Sequence, residues 1–162
     1  MSNPSGSASD ETDHQIVIVG AGFAVLAVAR GLAGNRCRVT VIDKRNFHLF
    51  QPLLYQVATG ALSPAQITTP IRAKLKKAGN ITVLRGEVVA VDVTARRVTL
   101  ADGVVISYDT LVLAPGMQTQ YFRHPEWETL APGLKTIEDA LTIRRHILAA
   151  FERAEAREAP AE

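Results

Sequence analysis

A short apolar run that ends in two glycines does most to restrict the fold of this chain. Gln15–Val19 (QIVIV) is rich in β-branched residues, which is typical of a central parallel strand covered on both faces. The triplet Gly20–Gly22 ends this run, and Phe23–Ala33 follows as an apolar, helix-forming stretch that Gly34 is placed to stop. Arg38–Ile42 (RVTVI) then predicts a second strand. Strand, helix and strand with short connections predict a βαβ unit, and therefore an α/β fold.

The glycine turn also predicts a ligand. Gly20 permits a tight turn, Gly22 leaves room for a pyrophosphate, and the N-terminus of the next helix offers N–H groups and a partial positive charge. Asp43 follows the second strand, where an acidic side chain accepts hydrogen bonds from a ribose. Val25 occupies the third glycine position of the fingerprint, and its extra volume is expected to cost about 1 to 3 kcal/mol and to weaken binding. Spacing alone leaves FAD and NAD both open as the dinucleotide.

The middle of the chain predicts a loop, a short helix and a group of strands. The segment 44–69 contains Pro52 and Pro64 and is expected to be a long loop, a kind of segment that is often functional. A helix is predicted over 70–78, begun by a proline and stopped by Gly79. A β-meander is predicted from four short strands: Ile81–Leu84, Glu87–Val93, Arg97–Leu100 and Val104–Ser107.

Two further elements are predicted toward the end of the chain. The apolar run 108–114 (YDTLVLA) predicts another strand of the parallel type. Thr136–Arg157 predicts a helix in which Thr136 and Asp139 form a capping box. An apolar stripe is expected along this helix, formed by Ile137, Leu141, Ile143, Ile147, Leu148 and Phe151.

The composition argues against several functional classes. Eighteen basic and sixteen acidic residues are mixed along the chain, so no nucleic-acid partner is expected. Cys37 is the single cysteine, which rules out an internal disulfide or a redox dithiol and fits a cytoplasmic setting. Four scattered histidines give no reason to expect a metal site. Gly20 and Gly22 interrupt the first apolar stretch and acidic residues precede it, so it is expected to be neither a signal peptide nor a membrane span.

Four segments together resemble the type II NADH:quinone oxidoreductases: HQIVIVGAGF, VTVIDKRNFHLFQPLLYQVATG, ITTPIRAKLKK and SYDTLVLAPG. The resemblance extends over residues 15–155, and the second segment is its most specific part. It implies a two-dinucleotide-binding flavoprotein in which FAD passes electrons from NADH to a membrane quinone. It also favours FAD over NAD at the first site.

The resemblance implies a role for ten residues. Gly20, Gly22, Phe23 and Ala24 would hold the FAD pyrophosphate, and Asp43 the adenosine ribose. The remaining positions would lie beside the adenosine (Lys44, Arg45), meet the adenine through the backbone (Val88), or form the turn beneath the cofactor (Ala114, Gly116). Pro115 replaces the threonine of the family's turn and removes an N–H and a hydroxyl from that contact. No catalytic residue and no metal ligand is assigned.

The composition and the resemblance together predict three regions. Residues 1–14 are expected to be a disordered tail, residues 15–135 a Rossmann-like FAD-binding domain, and residues 136–162 a helix that leads toward an NADH-binding domain absent from the sequence. The family's second glycine turn and its membrane-attaching helices are likewise expected to lie outside this sequence. This polypeptide alone is therefore expected to lack NADH:quinone activity, because hydride transfer needs nicotinamide and flavin held face to face. In the full-length family the enzyme is peripheral on the cytoplasmic face of the membrane.

Two alternatives stay open from the sequence. The first is a related flavoprotein such as a sulfide:quinone reductase, although such enzymes need paired cysteines near the flavin and Cys37 has no partner in the sequence. The second is a nucleotide-binding remnant without turnover. Flavin absorbance of the purified protein separates them, because a colourless but folded chain would favour the remnant.

Overall fold

The computed structural model describes residues 14–158. Its strands are β1 (His14–Val19), β2 (Cys37–Asp43), β3 (Phe47–Leu49), β4 (Thr68–Pro70), β5 (Ile81–Arg85), β6 (Val88–Asp92), β7 (Arg97–Leu100), β8 (Val105–Ser107) and β9 (Thr110–Leu113). Its helices are α1 (Phe23–Leu32), α2 (Leu54–Ala58), α3 (Ile71–Leu75), α4 (Trp127–Leu130) and α5 (Ile137–Glu158). The predicted tail lies almost wholly outside the described residues, as do residues 159–162.

The described residues group into two compact units. The first unit contains the described residues up to Asn46 together with Leu75–Pro115. The second unit contains Phe47–Lys74 and the described residues from Gly116 onward. The three regions predicted from the sequence differ from this grouping and remain a prediction.

A four-stranded parallel sheet forms the centre of the first unit. Its strand order is β5-β2-β1-β9, and every neighbouring pair is parallel. The middle of β1 and most of β2 are buried, because apolar residues recur on both faces of these strands. Helix α1 contacts β2 and buries Val25, Leu26 and Ala29. The predicted βαβ unit and the parallel strand near residue 110 are therefore confirmed.

A three-stranded antiparallel sheet, β6-β7-β8, packs on the parallel sheet of the same unit. Val17 and Ile42 from the parallel strands form one buried cluster with Val98 and Leu100 from β7 and with Tyr108. The prediction that Ile81–Leu84 begins the meander is wrong, because this segment, as β5, pairs in parallel with β2. The sequence of a short apolar strand does not show whether its partner runs parallel or antiparallel. The two-residue gap before β6 also resembles a hairpin turn, although the chain passes from one sheet to the other there.

The segment from Lys44 to Thr69 is not the loop that the sequence predicts. It contains β3, α2 and the beginning of β4, together with two 3-10 turns at Gln51–Leu53 and Pro64–Ile67. The two strands pair antiparallel, from Phe47 opposite Pro70 to Leu49 opposite Thr68. Pro64 is the first residue and Pro52 the second residue of a 3-10 turn, where a missing N–H costs little, so both prolines are compatible with local structure. The predicted helix over 70–78 is also shorter, because Pro70 ends β4 and α3 spans only Ile71–Leu75.

Helix α5 belongs to the second unit and packs on α2. Ala140 is fully buried in a cluster with Leu54, Val57, Ala58 and Ile67. The predicted capping box is confirmed, since the Asp139 N–H donates to the Thr136 hydroxyl at 3.1 Å and the Thr136 N–H donates to the Asp139 carboxylate at 2.9 Å.

The apolar stripe predicted along α5 is only partly buried. Ile137 and Ile143 pack against the cluster of the second unit, but four members of the stripe are exposed: Leu141, Ile147, Leu148 and Phe151. The pattern rule assumes a core along the whole helix, whereas this core extends only along its first turns.

Candidate functional site

The carboxyl ends of three neighbouring strands meet at the glycine turn. The Gly20 N–H donates to the Ile42 carbonyl at 2.7 Å, which joins the turn to the end of β2. Gly20 has φ +108°, and a Cβ atom at this position would collide with the carbonyl group of Ala114 just after β9. Only glycine fits this conformation and this close approach. The turn is therefore fixed between the ends of β2 and β9.

Gly22 presents an open approach to the N-terminus of α1. Its backbone is extended, with φ −72° and ψ −172°, and no side chain caps the helix at this position. A Cβ atom built on Gly22 would have no neighbour within 4 Å, so the space in front of it is open. The first turn of α1 contains no acidic residue, and Phe23 and Ala24 are both exposed there. The helix N-terminus thus has open space at Gly22 and no acidic side chain in its own first turn, which favours an anion there.

Asp43 is the last residue of β2, next to the glycine turn. The Arg45 N–H donates to Asp43 Oδ1 at 2.7 Å, and this bond orients the half-buried carboxylate. The Asp43 carbonyl accepts the Gly86 N–H at 3.0 Å, which ties the end of β2 to the residue after β5. Lys44 is exposed and Arg45 is half-buried.

The other predicted site residues lie in different places. The Ala114 N–H donates to the Val19 carbonyl at 3.0 Å and extends the pairing of β9 with β1 as far as the glycine turn. Val88 begins β6 and packs against the cluster that contains Ile42. Gly116 has φ +88° and belongs to the second unit.

The structure accommodates the side chain that replaces the third glycine. Val25 is completely buried, and α1 is regular from Phe23 to Leu32 around it. The methyl groups of Val25 are part of the core beneath the helix rather than of the open face in front of Gly22.

Sequence reasoning missed Arg85, the last residue of β5. Arg85 is opposite Asp43 in the β2–β5 register, and its Nε donates to the Lys44 carbonyl at 3.4 Å. The signal that could have found it is the rule that strand ends of a parallel sheet meet at one edge. The sequence pattern does not point to Arg85, because it predicts the preceding strand as part of the antiparallel meander.

Two features are absent from the described part of the chain. Between residues 14 and 158, no helix is long and apolar enough to cross a membrane. In the same range, no three His, Cys, Asp or Glu side chains are grouped so that they could hold a metal ion.

A parallel sheet, a glycine turn before a helix N-terminus and an acidic residue at the end of the adjacent strand define a Rossmann-like dinucleotide-binding fold. The family model for pyridine nucleotide-disulphide oxidoreductases matches residues 14–154. The chain belongs to this family.

The chain is similar to type II NADH:quinone oxidoreductases. It is 48% identical over 145 residues to NdhA of Mycobacterium tuberculosis, covering 88% of this chain and 31% of that protein. It is 41% identical over 145 residues to Ndh of the same organism, with the same coverage. The chain thus spans about a third of the length of these curated relatives.

Solved structures give the same fold. The structure of NDH2 from Plasmodium falciparum in complex with NADH has a TM-score of 0.79 and 28% identity, covering 88% of this chain and 30% of that one. The sulfide:quinone oxidoreductase from Aquifex aeolicus has a TM-score of 0.74 and 25% identity, covering 86% of this chain and 32% of that one. The prediction of a Rossmann-like fold is confirmed.

Proposed function

We propose that this chain forms the FAD-binding part of a flavin-dependent NADH:quinone oxidoreductase. The main support is the open approach to the α1 N-terminus at Gly22 beside the oriented carboxylate of Asp43. These two features match what the diphosphate and the ribose of a dinucleotide require. The similarity to NdhA and Ndh favours this function over that of a sulfide:quinone reductase, whose solved example is less similar in sequence.

The residues present fit the ADP half of FAD. The diphosphate would lie against Gly22, Phe23 and Ala24, where the α1 N-terminus compensates its charge. Asp43 would accept hydrogen bonds from the ribose hydroxyls. Lys44 and Arg45 would lie beside the adenosine, the Val88 backbone would meet the adenine, and Ala114 and Gly116 would form the turn below the cofactor. Gly20 holds the turn in place without contributing a side chain.

The chemistry would be divided between the cofactor and the protein. When bound, FAD would accept a hydride from NADH and pass electrons on to a quinone. The residues of this chain bind and orient the cofactor, and none of them is assigned a proton-transfer role. NADH and quinone are proposed as substrates of the whole enzyme, and attachment to the cytoplasmic face of a membrane remains a prediction.

Calorimetry with ADP and with FAD tests the proposed site. Gly22→Ala adds a methyl group in open space at a negative φ, so we expect the fold to be kept and both affinities to fall at least about tenfold, which is about 1.4 kcal/mol. Gly31→Ala is the matched control, because Gly31 lies near the other end of α1 and its Cβ would also meet nothing. The control should bind as the unaltered chain does.

The same measurement tests Asp43. Asp43→Ala removes the ribose acceptor, and we expect a comparable loss of affinity for ADP. Asp92→Ala is the matched control, since Asp92 also accepts a local backbone N–H, that of Ala95 at 2.8 Å, but belongs to β6. A folded chain that binds neither ADP nor FAD, or an Asp43→Ala variant with unchanged affinity, would contradict the proposed function.

A further inference from the structure

Arg85 occupies the carboxyl edge of the parallel sheet directly beside Asp43. Both residues end their strands, and they are partners in the parallel register of β2 and β5. The next residue, Gly86, donates its N–H to the Asp43 carbonyl at 3.0 Å. The side chain of Arg85 is exposed, so its position is not forced by packing in the core.

One peptide group connects Arg85 to the carboxylate of Asp43. Arg85 Nε donates to the Lys44 carbonyl oxygen at 3.4 Å. The N–H of the same peptide, which belongs to Arg45, donates to Asp43 Oδ1 at 2.7 Å. Because a peptide group is planar, fixing its oxygen also fixes the direction of its N–H. The Arg85 guanidinium therefore restrains the Lys44–Arg45 peptide plane, whose N–H in turn orients the Asp43 carboxylate.

We propose that Arg85 is a positioning residue that directs the Asp43 carboxylate at the ribose of the ligand through the Lys44–Arg45 peptide. This inference rests on the proposed function, since it concerns the same site. Without Arg85, the turn after β2 keeps the Gly86 bond to the Asp43 carbonyl, but the next peptide can rotate. A rotated peptide withdraws its N–H from Asp43, and the carboxylate then loses its fixed direction toward the sugar.

Binding of two ligands separates this role from a general loss of positive charge. ADP carries both ribose hydroxyls, whereas 2′,3′-dideoxy-ADP offers none to Asp43. For Arg85→Met, which keeps an apolar stem, we expect about three- to tenfold weaker binding of ADP, the range of one hydrogen bond. Binding of the dideoxy ligand should change less than twofold. Arg38→Met is the matched control, because exposed Arg38 lies on β2 toward its other end, and it should leave both affinities unchanged.

A double variant tests whether Arg85 acts on ADP binding through Asp43. In an Asp43→Asn background, Arg85→Met should cause no further loss of ADP affinity, because the residue through which it acts is already altered. The melting temperature of each variant is measured alongside, and it should stay within about 2 °C of its parent for an exposed substitution. Arg85→Lys keeps the charge and can still reach a carbonyl, so it should restore part of the ADP affinity.

The outcomes distinguish this inference from the function on which it rests. An unaltered chain that binds no ADP would contradict the proposed function and, with it, the role of Arg85. If the unaltered chain binds ADP, two results contradict the inference alone. One is an equal loss of both ligands in Arg85→Met, and the other is a full additional loss in the Asp43→Asn background.

Discussion

Gly20 is constrained both by its backbone conformation and by its neighbours. At φ +108° an alanine would be strained, and its Cβ would also collide with the Ala114 carbonyl group. We therefore expect Gly20→Ala to lower the free energy of unfolding by at least about 2 kcal/mol, since strain and overlap add. Denaturation in urea, followed by circular dichroism, measures this change.

Gly34 provides the control for Gly20→Ala, because it separates the two causes. It has φ +77°, but a Cβ there would meet nothing within 4 Å. Gly34→Ala should therefore cost only the backbone strain, about 1 to 2 kcal/mol. If both variants were equally destabilised, the contact with Ala114 would have no importance and the turn would be less tightly fixed than the structure indicates.

At the level of elements, Asn80 joins the end of α1 to the starts of β2 and β5. Its side-chain oxygen accepts the Gly34 N–H at 2.9 Å, and its side-chain nitrogen donates to the carbonyls of Leu32 at 2.9 Å and Cys37 at 3.1 Å. Its own carbonyl accepts the Val39 N–H. Asn80→Ala should lower the free energy of unfolding by about 1 to 3 kcal/mol, because it removes three side-chain hydrogen bonds to the backbone, two of them part-buried.

Asn35→Ala is the comparison for Asn80→Ala in the same denaturation experiment. Asn35 makes one exposed side-chain bond, to the Gly31 carbonyl at 3.2 Å, so its loss should cost no more than about 1 kcal/mol. Equal effects of the two variants would mean that the Asn80 side chain does not hold these three elements together.

Elements were predictable from the sequence where local pattern and surroundings agree. The two strands and the helix around Gly20 are apolar runs with clear ends, and the structure contains them within one or two residues of the predicted bounds. The Thr136 and Asp139 cap was predictable because both of its bonds are local. The partner of β5 was not, because pairing with β2 is a contact across about forty residues that no short pattern encodes.

The same distinction holds for the candidate site. The glycine turn ends the first strand of a βαβ unit and Asp43 ends the second. The sequence therefore predicts that both lie at the same edge of the sheet. Arg85 joins them only through the placement of β5, and the predicted stripe of α5 failed because the extent of a core is a property of the whole unit. Local signals thus indicated the groups proposed to bind a dinucleotide, while non-local pairing placed Arg85 beside them.

At the scale of the whole molecule, the candidate site and the α2–α5 cluster belong to different units. Gly22, Asp43 and Arg85 are in the first unit, whereas Leu54 and Ala140 are in the second. A ligand stabilises the states to which it binds, by about 2.7 kcal/mol when its free concentration is one hundred times Kd. The contacts proposed for the diphosphate, ribose and adenosine all lie in the first unit, so the stabilising effect of ADP should be confined to that unit.

Hydrogen exchange followed by mass spectrometry measures this effect segment by segment. With saturating ADP, exchange should slow in peptides that contain β1, the glycine turn, the first turn of α1 and the end of β2. Peptides from α2 and α5 should exchange at unchanged rates. Gly22→Ala is the control, since it should abolish the slowing without changing the pattern of the free chain. Slowing over α5 of the same size as over β1 would contradict a site confined to the first unit, because the ligand would then act on elements that contain none of the proposed ADP contacts.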